Sequence, residues 1–215
     1  MPVHVKICGI TRLEDAVAAI EAGADSLGFV FFKGSPRRID PDRAAEICTT
    51  LPARTGRVGV FVNAPRQEVE AVAARSALTA VQLHGEERRE EFEGMMVDWY
   101  RAFRVRPGAE VASLATTVTS FGRSWYLLDT HVEGAFGGSG RSMDWRLAAK
   151  LSMSLSLKDG TRLLLAGGLT PENVAQAVRK VRPWGVDVSS GVESAPGIKD
   201  HARMIAFVAA ARGVA

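Results

Sequence analysis

The chain of 215 residues repeatedly sets a short apolar, β-branched run before an amphipathic stretch, and this alternation constrains the fold more than any other feature. Parallel strands joined by crossover helices produce it, because a parallel neighbour can begin only after a long connection. Eight strands are read: 3–7, 26–31, 57–62, 80–84, 99–105, 125–129, 162–166 and 186–189. Most are continuous apolar runs, as expected of strands covered on both faces. Between them, Leu13, Val17 and Ile20, and later Val174, Ala177, Val178 and Val181, recur at helical spacing. Thr11, Pro41 and Thr170-Pro171-Glu172 mark helix starts, and the segment 200–211 reads as an eighth helix. The stretch 111–118, rich in Thr and Val, is a poor helix former, and 153–160 reads as a long loop after a short sixth helix. Eight such units in one domain, residues 1–215, predict an α/β fold of the (β/α)8 TIM-barrel type, with an open doubly wound sheet as the alternative.

Composition excludes several classes. A hydrophobic fraction of 47% with 24% charged residues is that of an ordinary globular domain, not of a disordered chain. No apolar run approaches the roughly 18 residues of a membrane span, and the N-terminus lacks a signal-peptide layout, so a cytoplasmic protein without a membrane partner is expected. Cys8 and Cys48 lie far apart and match no metal-ligand spacing, so no disulfide framework and no metal site is expected. A net charge of +3, spread rather than clustered, gives no footprint for nucleic acid but suffices for a small anionic ligand.

Barrel enzymes place their chemistry at the C-terminal ends of the strands, so the residues following each run are the informative ones. Cys8 ends the first, beside Gly9 and two residues after Lys6, a place where a thiol can face the barrel mouth and act as base or nucleophile. Cys48, on the apolar face of the second helix, reads as a core residue. Asp129 ends an apolar strand and is a candidate acid. Arg37, after a Ser-Pro turn, suits a two-pronged grip on a carboxylate, with Arg38 next to it as the rival. Gln82 and His84 at the end of strand four, and Asp187 within strand eight, are further candidates for ligand contact, against a structural pairing of Asp187 with a Lys or Arg. Gly167, Gly168, Ser190 and Gly191 after strands seven and eight, with Gly138 and Gly140 after strand six, suggest a phosphate cradle of main-chain N–H groups.

Taken together, Lys6-Ile7-Cys8-Gly9-Ile10-Thr11, Gly28-Phe29-Val30-Phe31, Ser35-Pro36-Arg37, Val58 to Asn63, Val81-Gln82-Leu83-His84-Gly85, Leu127-Leu128-Asp129-Thr130, Gly137-Gly138-Ser139-Gly140, Gly167 to Val174 and Val186 to Glu193 resemble the phosphoribosylanthranilate isomerases, in order and over nearly the whole chain. The resemblance implies an Amadori rearrangement of N-(5'-phosphoribosyl)anthranilate in tryptophan biosynthesis, without metal or organic cofactor. It implies Cys8 as general base, Asp129 as general acid and Arg37 on the anthranilate carboxylate. Arg141 stands where a lysine is common, which keeps the charge. A related isomerase of histidine biosynthesis carries an aspartate where this chain has Cys8, and indoleglycerol phosphate synthase has a lysine and glutamate set that this chain lacks. The alternatives are an enzyme that also accepts the histidine-pathway substrate and a non-catalytic phosphate-ligand barrel; the latter has no reason to hold both Cys8 and Asp129. A monomer or a homodimer is expected.

Overall fold

The computed structural model describes residues 2–106, 108–130, 144–156 and 161–214. Eight parallel strands, β1 (His4–Cys8), β2 (Ser26–Val30), β3 (Gly56–Phe61), β4 (Ala80–Leu83), β5 (Asp98–Val105), β6 (Trp125–Thr130), β7 (Arg162–Leu165) and β8 (Gly185–Val188), pair in sequence order. The ring closes where β1 meets β8, with His4 opposite Gly185 and Ile7 opposite Val188. The read strands agree to within a residue or two at each end. The helices are α1 (Leu13–Glu21), α2 (Pro41–Thr50), α3 (Arg66–Arg75), α4 (Arg89–Phe92), α5 (Val111–Ser120), α6 (Trp145–Ser156), α7 (Val174–Val181) and α8 (His201–Arg212). A short antiparallel hairpin, β9 (Glu193–Ala195) and β10 (Ile198–Lys199), stands between β8 and α8. Among the described residues no helix is long and apolar enough to cross a membrane.

Strand residues alternate between two apolar environments, as a period of two demands. Ile7, Leu27, Val81 and Leu128 face outward into the layer shared with the helices. Val58, Tyr100, Ala102, Leu127 and Leu164 fill the barrel interior, and Cys8, Val30 and Val60 pack together nearer the mouth. At the opposite end Trp184 stacks on His4 and leans on Trp125, and the Arg162 guanidinium lies over both indoles.

Four local expectations are corrected. The stretch 111–118 is helical: Thr116 and Thr117 donate their hydroxyls to the carbonyls of Ala112 and Ser113, and Val118 is fully buried, so packing overrides propensity. Residues 153–156 continue α6 instead of starting a loop; Leu147, Leu151 and Leu155, four apart, bury one stripe and leave Met153 on the outer face. Val17 is 43% exposed, and α1 buries Asp15, Ala16 and Ala19 instead. Thr11 does not cap α1; Arg12 occupies that position, and the Thr11 hydroxyl donates to the Gly197 carbonyl, tying the β1–α1 loop to the hairpin.

Candidate active site

Lys6 and Cys8, two apart on β1, both turn into the barrel. Gly28 on the neighbouring strand makes room for them: a Cβ there would lie 2.6 Å from Cys8 Sγ and 3.0 Å from Lys6 Nζ. The thiol and the ammonium therefore flank one small space. Lys6 Nζ also donates to Asp187 Oδ1 at 2.7 Å, with the lysine side chain 1% exposed. Burial works against the Lys6 charge, but the Asp187 carboxylate outweighs it and pushes the lysine up. Burial pushes the Cys8 thiol up as well, with Asp187 adding to it, against the downward pull of Lys6 and Lys199. Cys48 is buried on α2, its thiol pushed up to about 11 by burial.

Asp129 occupies the inward position two residues beyond Leu127 and is 6% exposed. His84 Nε2 lies 3.3 Å from its Oδ2, a close contact that lacks the alignment of a formed hydrogen bond. On the other side of the ring the Gln82 amide nitrogen meets His84 Nδ1 at 2.8 Å, and the Gln82 carbonyl accepts from the Tyr100 hydroxyl at 3.0 Å. An amide N–H donated to Nδ1 leaves the imidazole proton on Nε2, facing Asp129. Burial raises the Tyr100 phenol, which keeps it a donor. Gln82, a candidate for ligand contact, is 1% exposed with both ends of its amide engaged, and it supports His84.

A cavity at the C-terminal rim is walled by Asp129, Gly167, Gly168, Asp187, Ser190 and Gly191 together. Gly191 permits this closeness, since a Cβ there would fall 1.9 Å from the Leu169 carbonyl oxygen. Asn173 braces the facing loop, accepting from the Thr170 N–H and donating to the Gly168 carbonyl. Ser189 Oγ, at the same wall, is buried and finds no partner among the described residues. Asp187 lines this cavity while paired with Lys6, which makes it a floor that links the cavity to Cys8. Gly138, Gly140 and Arg141 lie outside the described residues. A larger cavity of about 400 Å3 opens at the opposite end of the barrel, between His4, Tyr100 and Trp125, away from Cys8 and Asp129.

Arg37 stands beside Gly9, the residue after Cys8. Its stem covers Gly9, where a Cβ would come within 2.8 Å of Arg37 Cδ. Its Nε and Nη2 donate to the Glu193 carboxylate at 2.9 and 2.7 Å. Glu193 also accepts from Lys199 Nζ at 2.8 Å, and that ammonium donates to the Cys8 carbonyl at 2.6 Å and the Ser189 carbonyl at 3.2 Å. Burial raises Glu193, but the bonds and charges of Arg37 and Lys199 outweigh it and hold the carboxyl below the usual glutamate range. Lys199 is pulled below its ordinary value by burial, despite Glu193. Arg38 is exposed, so of the two arginines Arg37 is the one built into the site. Sequence reasoning assigned no role to Lys6, Tyr100, Glu193 or Lys199. A lysine inside an apolar strand two positions from the cysteine was the available signal for Lys6; Lys199 carried none.

A closed eight-stranded barrel whose C-terminal rim carries a thiol, a carboxyl group and a glycine-walled cavity defines the class: a barrel enzyme performing acid–base chemistry on a small anionic substrate. The family model described as N-(5'phosphoribosyl)anthranilate (PRA) isomerase matches residues 5–210, and the chain belongs to that family. It is 48% identical over 210 residues to the N-(5'-phosphoribosyl)anthranilate isomerase of Pseudomonas aeruginosa (strain LESB58), covering 98% of this chain and 95% of that protein. It superimposes on the crystal structure of the phosphoribosyl anthranilate isomerase from Thermotoga maritima with a TM-score of 0.87 at 40% identity, over 98% of this chain and 99% of the other. A phosphoribosyl anthranilate isomerase in complex with reduced 1-(o-carboxyphenylamino)-1-deoxyribulose 5-phosphate is similar at a TM-score of 0.84 and 40% identity, over 98% and 99% of the two chains.

Proposed function

We propose that this chain converts N-(5'-phosphoribosyl)anthranilate to 1-(o-carboxyphenylamino)-1-deoxyribulose 5-phosphate, with Asp129 as general acid and Cys8 as general base. The observation that carries the reading is the shared wall: Asp129 and the glycine loops border one cavity, and Asp187 and Lys6 connect that cavity to Cys8. Asp129 delivers a proton to the furanose ring oxygen, and the ring opens to a Schiff base. As that proton leaves, the developing carboxylate meets the His84 Nε2–H beside it. Cys8 takes the C2' proton, and the enolamine tautomerises to the ketone. Every step moves protons within one substrate, so atoms and electrons balance without a redox partner.

The glycine loops at Gly167-Gly168 and Ser190-Gly191 hold the phosphate and fix the far end of the sugar, which is the orienting role that lowers the entropic part of the barrier. Arg37 receives the anthranilate carboxylate. Because the environment of Cys8 favours the thiol, only a minority of the free enzyme carries the thiolate at neutral pH, and Lys6 is the cation positioned to stabilise it. All these groups belong to one chain and one domain spanning 1–215, so a single copy, alone or within a homodimer, is catalytically complete; a cytoplasmic location suits a metabolic enzyme of this kind. The test is the loss of substrate fluorescence with purified protein, run beside the aminoaldose of histidine biosynthesis. Turnover of the first supports the reading, and an inert protein refutes it; turnover of both marks a dual-substrate enzyme.

A further inference from the structure

The Arg37 cluster holds two cations and one carboxylate. Arg37, Glu193 and Lys199 have side chains 13, 5 and 0% exposed, so solvent does little to balance them. An arginine clamped by a lone buried glutamate is a neutral pair, and a neutral pair attracts an incoming anion weakly. Here the Lys199 ammonium takes the other side of the same carboxylate, and the trio keeps one positive charge. The guanidinium is engaged through its Nε and Nη2 edge, and among the described residues no hydrogen bond of Nη1 is found. A second carboxylate can therefore dock on the Nη1–Nη2 edge while Glu193 holds the first.

We propose that Lys199 is a specificity-determining residue: by offsetting Glu193 it leaves Arg37, locked in place by that glutamate, with a net charge to spend on the carboxylate of the aromatic ring. Lys199 acts through Arg37 and does not touch the substrate. Glu193 is the positioning partner, and the Lys199 bond to the Cys8 carbonyl sets this anion site at a fixed offset from the base. The inference rests on the function proposed above and extends it to the origin of carboxylate selectivity.

The experiment compares two ligands on the full-length protein by calorimetry: reduced 1-(o-carboxyphenylamino)-1-deoxyribulose 5-phosphate and its phenylamino counterpart without the carboxyl group. Their affinity ratio isolates the carboxylate, since the phosphate and sugar are common to both. Lys199→Met should lower the ratio by about tenfold, the scale of a desolvated charge contact. A merely structural loss weakens both ligands and leaves the ratio alone. The double variant Glu193→Gln with Lys199→Met removes both offsetting charges, restores the surplus on Arg37 and should recover most of the ratio. An unchanged ratio in Lys199→Met, or a double variant no better than the single, overturns the proposal; should the single variant not fold, the double variant decides, a ratio near wild type supporting the proposal and a lost ratio overturning it. Wild-type protein that binds neither ligand refutes the functional reading itself, and the inference falls with it.

Discussion

Adding one methyl group at Gly28 tests the packing on which the thiol and ammonium depend. The new Cβ would stand 2.6 Å from Cys8 Sγ and 3.0 Å from both Cys8 Cα and Lys6 Nζ, so Sγ would have to retreat by about 0.8 Å to reach ordinary contact at 3.4 Å. The main-chain neighbour cannot yield as a side chain can, and Lys6 is pinned by Asp187. Overpacking of this kind costs roughly 1–3 kcal/mol, which at about 2–4 °C per kcal/mol lowers the melting temperature by roughly 2–12 °C. A displacement near 1 Å in the reacting group costs on the order of a hundredfold in rate. Gly28→Ala should therefore fold, melt earlier and lose about two orders of magnitude in kcat/KM, with binding of the reduced product affected far less. Thermal melts and the fluorescence assay measure both. Wild-type kcat/KM in a correctly folded Gly28→Ala would show that the position of Sγ does not limit the reaction, and the role of Cys8 as base would go with it.

The remaining expectations are independent of that one. Cys8→Ala should drop kcat by orders of magnitude with product affinity near normal; retained turnover removes the thiol from the chemistry. Asp129→Asn should behave alike, because a carboxamide delivers no proton, and an active variant would reassign the acid. In a Cys48→Ala background, alkylation of Cys8 by iodoacetamide should rise with pH through a midpoint above about 8.5, the ordinary cysteine value, since burial raises this thiol; a midpoint below it would contradict the burial argument. Asp15, fully buried, accepts from Arg12, the Lys199 main chain and His201, which together outweigh burial and hold its carboxyl below the usual range. Its contribution is therefore complete above the unfolded value of about 3.9 and disappears as pH falls through the lower folded value. Asp15→Ala should cost about 1–3 kcal/mol at neutral pH by denaturant titration, and that difference should shrink on acidification below about pH 4.

How far the sequence carried can be seen residue by residue. Strand positions were legible because apolar runs register burial on both faces, and Cys8 and Asp129 were legible because each terminates such a run. The long α6 was obscured by its serines although Leu147, Leu151 and Leu155 kept the helical period, and α5 by threonines whose hydroxyls are satisfied inside the helix. A polar residue at a strand end invites a ligand-contact reading of Gln82; that its carbonyl accepts from the Tyr100 hydroxyl becomes visible only when β4 and β5 lie side by side.

From the sequence alone came the alternation, the eightfold count, the placing of Cys8 and Asp129 at strand ends and the glycines after strands seven and eight, all features that neighbouring residues encode through periodicity and conformational freedom. Only the tertiary structure decided which charges meet. Lys6 and Asp187 are 181 residues apart, Arg37 and Glu193 156, and Lys199 and the Cys8 carbonyl 191. Closure of the barrel places the first strand against the last, and an ion pair formed across that seam follows no spacing along the chain; its energy depends on distance and burial, which exist only once the ring is complete.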